Sequence, residues 1–277
     1  MPRTNRTRES LMRIWSPTDF WFRGHARADW PLTPSIYRPT RAGTDEVEMH
    51  AEFERRGRQL FSEAHLPRDH KEWYFLMQHY RTPTRLLDWT DGALLALYFA
   101  LSEHVREQER QRPLDAAVWM LDPEWLNRRT WKRLDPEHSY TEGVMLTEWA
   151  ESDPWFPVPF GEKPLLVPEP IAIDPPHVAR RVAVQHSHFT VHGTRQDGLE
   201  RLANERDSRL VKITIQQGKA KSILRDLATS GITETTVFPD LEGLSRELHL
   251  KLLYRPRARL STPAARLTLR RRKRPTS

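Results

Sequence analysis

Between Gln78 and Thr90 the chain reads QHYRTPTRLLDWT, and the run that follows is almost wholly apolar. Gln78, His79, Arg85, Asp88 and Thr90 carry the hydrogen-bonding groups. One reading is a pocket. Arg85 would hold an anionic group, Gln78 would read a polar edge, and Asp88 would orient Arg85 or His79. Thr90 and the N-terminus of the next helix would close the site, because free N–H groups and the positive end of the helix dipole favour an anion. That is the chemistry of a nucleotide-like or phosphorylated ligand. The other reading is a clamp, in which the same groups satisfy one another and brace the helix, since a buried polar group needs a partner. Asp91 counts against a bare phosphate, because its carboxylate competes for the same donors. Arg85 and Asp88 are expected on opposite faces of a short strand. Residue chemistry alone leaves both readings open.

Two further stretches could contribute. Arg23 follows three aromatics in FWFRGH, either as a surface cation–π element or as a charge lowered into a pocket. Gly24 permits close backbone approach or an unusual φ. In QHSHFTVHG, His186, His188 and His192 fall on one side of a strand. Gln185 falls on the other, with Phe189 and Val191, and is expected inside. A His-x-His pair can bind a metal, but no nearby acid completes a ligand set, so no metal is expected. No Gly-rich phosphate loop, nucleophile elbow or His-Glu-x-x-His sequence occurs.

These residues need elements to position them. A short strand is predicted over Phe20–Gly24 and a helix over 44–64, with an approximate stripe of Val47, Met49, Phe53, Leu60 and Phe61. KEWYFLMQHY predicts a second helix, ended by Thr82-Pro83. TRLLDW is short enough for a buried strand. Asp88, Thr90 or Asp91 can cap a helix that runs to about Val105. Ala93 to Leu101 are nine consecutive apolar residues, so this helix is expected to be central and buried on all sides. AAVWML, RRVAVQHSHFTVHG and SRLVKITI read as strands. KAKSILRDLATSG reads as a helix closed by Gly231, and DLEGLSRELHLKLLY as a last helix. Residues 122–175 are expected to be an irregular, Pro-rich insertion or lid-like region with short helices. The expected fold class is α+β: a mixed, mostly antiparallel sheet packed around a buried central helix.

Composition narrows the classes. The chain has 277 residues, 38% hydrophobic and 29% charged, with ten Trp, 22 Pro and no Cys. Without Cys there is no disulfide scaffold, thiol nucleophile or Cys-based zinc site. No secretory signal and no membrane span is read from the sequence, so a cytoplasmic protein with no membrane partner is expected. The net charge of +7 suggests a polyanion partner until it is located. Arg255 to Ser277 hold nine Lys or Arg and no acid, which leaves 35 basic against 37 acidic groups over 1–254. The globular part therefore gives no electrostatic reason to bind nucleic acid, and only weak nucleic-acid contact through the Arg-rich tail is expected. The organisation expected is a basic arm over 1–14, one domain over 15–254 and a disordered tail over 255–277.

FWFRGHARADWPLTPSIYR, WYFLMQHYRTPTRLLDWTDGALLALYFAL, RRVAVQHSHFTVHG and GITETTVFPDLEGLSREL resemble the ordered blocks of the FRG domain, named for its Phe-Arg-Gly motif. The resemblance covers about Trp15 to Leu248. It implies that Arg23, Gln78, His79, Arg85, Asp88, Thr90 and Gln185 gather in space. It also implies a bacterial or phage protein in a defence or toxin context. Two positions depart from the family pattern: His25 stands where Gln is common, and Arg81 where Gly is common. The layout of strands further resembles ADP-ribosyltransferases. That likeness would make NAD the substrate and Arg23, Thr90 and Gln185 the catalytic residues, Gln185 standing where those enzymes usually use Glu. The alternative function is a non-catalytic module that binds nucleic acid or a protein with help from the basic tail.

Overall fold

The computed structural model describes residues 20–41, 43, 45–60, 66–108, 114–137, 145–146, 154–157, 167–175 and 187–253. The expected basic arm, Arg-rich tail and Gln185 lie outside these residues. The described elements build an α+β fold on one seven-stranded sheet of order β4-β5-β6-β2-β1-β3-β7. Its strands are β1 (Trp21–His25), β2 (Leu86–Thr90), β3 (Ala116–Leu121), β4 (Met145–Leu146), β5 (Ile171–Asp174), β6 (Ser187–Val191) and β7 (Leu210–Ile215). The β4–β5 pair is parallel and the other described pairs are antiparallel.

Strand alternation divides the core in two. Trp21, Leu87, Trp89, Trp119 and Leu121 point to one face. There they pack under Leu32, Leu199, Leu202 and Leu126, the last from α4 (Pro123–Leu134). The other face has two halves. Leu86, Ile171, Ile173, Phe189 and Val191 lie beneath Tyr74 and Met77 of α2 (His70–His79) and beneath Trp155 and Phe156. Val118 and Ala116 lie beneath Ala96, Ala100 and Leu101 of α3 (Ala93–Gln108). α1 (Glu46–Gly57) adds Met49 and Phe53 to the rim of the first half.

The apolar helix therefore lies on one face of the sheet, and the sheet does not wrap it. Its outer side is covered by Ile223, Leu224 and Leu227 of α5 (Ala220–Thr229), with Val237 of α6 (Glu234–Val237). This second layer explains why α3 has no polar stripe. The cover stops at its first turn, where Leu94 is 51% exposed. The last helix, α7 (Leu241–Leu253), follows α6.

Several described pieces of 122–175 pack into the core. Asp122 caps α4 by accepting from Trp125 N at 2.9 Å. Asn127 of α4 donates to Ala172 O at 2.8 Å and accepts from Ala172 N at 2.6 Å, so it satisfies the β5 backbone as a ladder partner would. Trp155 and Phe156 are fully buried. Proline density signalled extended connections, and here those connections carry the large aromatics inward.

Candidate functional site at the junction of β1 and β2

The two halves of the sheet meet at a thin seam. β1 holds β3 through five register pairs and β2 holds β6 through five, but β1 and β2 share the single pair Phe22↔Thr90. Beyond that pair the strands part. Gly24 explains why β1 follows the other half: a Cβ there would collide with Ala96 O and lie 2.6 Å from Ala100 N. The missing side chain lets α3 sit directly on β1, so this glycine serves helix–strand contact, not a phosphate or a positive φ.

Arg23 occupies the parting. Its Nη1 donates to Asp88 O at 2.6 Å, a carbonyl that the parted strand does not satisfy. The same nitrogen lies 3.5 Å from Asp88 Oδ2. Nε donates to His25 Nε2 at 3.2 Å, which places the His25 proton on Nδ1. Among the described residues Arg23 Nη2 has no partner. Burial lowers the Arg23 pKa, and Asp88 works against that. His25 is held neutral, its pKa lowered to about 3 by burial and then by the Arg23 charge. Its Nδ1 is buried without a hydrogen bond of good geometry.

Gln78 joins this group from the end of α2. Its Nε2 donates to Asp88 Oδ2 at 2.9 Å, and its Oε1 accepts from Thr84 Oγ1. Thr84 is fixed in turn by Ser35: Thr84 N donates to Ser35 Oγ at 3.1 Å, and Ser35 Oγ donates to Thr84 O at 3.3 Å. Arg23, Asp88 and Gln78 thus come together as expected, with Asp88 half exposed at the mouth.

Arg85 does not join them. It ion-pairs with Glu46 of α1, Nε lying 3.0 Å from Oε2. Tyr74 OH donates to Glu46 Oε1 and accepts from Arg85 N at 2.7 Å. Burial disfavours the Arg85 charge, but its bonds to Glu46 outweigh this and raise its pKa. Burial, then the Glu46 carboxylate, keeps Tyr74 protonated. Asp88 consequently orients Arg23 and Gln78, not Arg85 or His79. His79 is exposed and stands edge-on to Tyr80, 5.1 Å between centroids. Thr90 is buried, and its Oγ1 accepts from Gly92 N at 3.1 Å, so its hydroxyl shapes the turn into α3.

Arg81 sits at the loop edge with φ 61°. Arg81 N donates to Gln78 O at 3.0 Å and Thr82 N to Met77 O at 2.9 Å, the paired bonds of a Schellman close. Gly231 closes α5 in the same way, with φ +86° and bonds to Ala228 O and Leu227 O. The departure from Gly at position 81 therefore falls on a left-handed residue, a conformation that L side chains adopt at a cost.

Sequence reasoning missed Glu46, Tyr74, Ser35 and Thr84. Glu46 lies 39 positions from Arg85, and on its own helix it reads as an ordinary first-turn acid. His188 also gained an unforeseen acid, since Asp174 of β5 lies 2.6 Å from its Nδ1. That ring stacks on Trp21 at 4.5 Å. His192 is buried and its pKa is lowered to about 3, by burial and then by Arg201.

No curated protein matches the chain, and no solved structure does. One family model matches, described as the FRG domain, over residues 18–109. That span holds β1 with Phe22-Arg23-Gly24, α1, α2, β2 and α3, and with them every described residue of the Arg23 cluster and the Arg85 clamp. The seam between the strands and the Gly24–α3 contact are both built inside it, so the span that matches the FRG domain model is the one that positions Arg23.

Proposed function

We propose that the parting between β1 and β2 binds a nucleotide-like or other phosphorylated small molecule, with Arg23 as the group that holds its anion. The supporting observation is the single register pair at this seam, which leaves the Arg23 guanidinium between the strands with Nη2 unpartnered among the described residues. A guanidinium there offers fixed N–H donors to phosphate oxygens. Gln78 supplies a polar edge beside it, and His25 and the Asp88 carbonyl fix the orientation of the guanidinium. Arg85 is assigned to the clamp, and Thr90 to the loop.

NAD is the ligand tested first, and ADP-ribosyl transfer the reaction tested first. Arg23 lies on β1 and Thr90 ends the neighbouring β2; Gln185 precedes β6 in the sequence and is carried into this reading from the sequence alone. Gln185 is neutral and would stabilise a developing oxocarbenium charge less than a carboxylate. The test is a thermal-shift screen of NAD, ATP and their fragments against wild type and Arg23→Ala. Stabilisation of wild type alone supports the site. No shift with any nucleotide removes the reading. A shift that survives Arg23→Ala but vanishes when 255–277 are deleted moves binding to the tail.

A further inference from the structure

Helix α7 shows its apolar side to solvent. At 100° per residue, Leu241, Leu244, Leu248 and Leu252 fall within an arc of about 80°. Their exposures are 84%, 41%, 49% and 68%. The helix docks through the opposite side. Arg246 bonds to the buried Glu234 and lies 4.6 Å over the Phe238 ring. Glu247 accepts from Thr235 N at 2.8 Å, and Gly243 packs so closely on Phe238 that a Cβ would collide with its carbonyl. Arg246 and Glu247 are thus spent on the body while four leucines face solvent, and a surface helix normally turns its apolar side inward.

The chain that follows α7 carries nine Lys or Arg between Arg255 and Ser277 and no acid. We propose that the leucine stripe of α7 and this adjoining basic segment together dock on an anionic lipid surface, the helix lying in the interface plane. Such a surface offers an apolar layer for the leucines and negative headgroups for the cations. A nucleic acid answers the charge but gives leucine nothing to bury against. A second copy answers the leucines but brings two basic segments of like charge to one interface. Glu242, the acid on the flank of the stripe, is already paired with Arg246 Nη1 at 2.7 Å. No described helix is long and apolar enough to cross a membrane. The lack of a spanning segment, which argued against a membrane partner, does not bear on a helix lying flat.

The test is flotation of the full chain with phosphatidylcholine vesicles, with and without about a third phosphatidylserine. Wild type should float with the anionic vesicles and not with the neutral ones, and high salt should weaken it. Leu244→Glu/Leu248→Glu should weaken flotation by about tenfold or more while thermal stability stays unchanged, because both side chains already face solvent. Three results would each overturn the proposal: no flotation with anionic vesicles, flotation unchanged in the double variant, or a lipid-free dimer that the double variant dissociates. Retention of duplex DNA with no vesicle binding would also overturn it, in favour of a nucleic-acid tail.

Discussion

Arg23 donates to the main-chain carbonyl of Asp88, 65 positions away, across the seam where the sheet has one register pair. A side chain stands where a continued ladder would have placed a backbone N–H. That substitution makes the seam a site as well as a fault in the sheet. Each half of the sheet is held by its own full ladders and its own helix, so the opening does not need to be closed for the fold to persist. Gly24 fixes the β1 side by seating it on α3, and Gln78, through Thr84 and Ser35, fixes the β2 side.

The Asp88 carboxylate is half exposed and 3.5 Å from Arg23 Nη1, so it competes with any anionic ligand for the same cation. Asp88→Asn keeps the backbone carbonyl and an amide for Gln78 to bond. It is expected to tighten binding of a phosphate-bearing ligand by about threefold, the scale of one partly exposed ion pair. Isothermal titration with whichever nucleotide shifts the wild-type melting temperature would show it. Unchanged or weaker affinity would mean that the carboxylate does not face the ligand.

Arg81 closes α2 in a left-handed conformation, where Gly231 closes α5. Arg81→Gly removes the Cβ penalty and is expected to stabilise the protein by about 1 kcal/mol, raising the melting temperature by roughly 2–4 °C. Two measurements on one variant separate the causes. A stabilised protein with weaker nucleotide affinity means that Arg81 is kept at the loop for its charge. A stabilised protein with the same affinity means that the cation plays no part in binding.

Local signals carried much of this fold. The apolar run Ala93–Leu101, the stop at Thr82-Pro83 and the Gly after α5 each act through nearby backbone, and the structure has a helix and two helix ends there. The site was legible only in part. Arg23, Gln78 and Asp88 meet because the strand order places β1 beside β2, and residue spacing does not encode that order. Arg85 looked like their companion because it is three positions from Asp88. It pairs instead with Glu46, because it precedes the strand and faces α1. In 122–175 proline marks where chain is irregular and says nothing of burial, so the buried Trp155 and Phe156 were not legible there.

His25 and His192 are buried and held neutral, each with a pKa lowered to about 3, while an unfolded histidine titrates near 6.5. Between those values the unfolded chain binds protons that the folded chain refuses, so stability is full above about pH 6.5 and is lost as pH falls. Each histidine is expected to cost on the order of 3 kcal/mol by pH 4. Urea unfolding from pH 7.5 to 4 should show the decline. His25→Gln keeps an acceptor for Arg23 Nε and cannot protonate, so its curve should be flatter. Equal slopes in wild type and variant would place the loss elsewhere.

The Arg85–Glu46–Tyr74 clamp offers the sharpest separation of bracing from binding. Glu46 is 8% and Arg85 17% exposed at the side chain, so removing one partner strands a buried charge. Glu46→Ala is expected to destabilise by about 3–5 kcal/mol. Glu46→Leu/Arg85→Met removes both charges at similar volume and should recover much of that loss. Chemical denaturation of the two variants measures the recovery. The double variant should bind the nucleotide of the Arg23 site as wild type does, because among the described residues Arg85 bonds to Glu46 and Tyr74 and not to Arg23, Gln78 or Asp88. Loss of binding in a well-folded double variant would return Arg85 to the ligand.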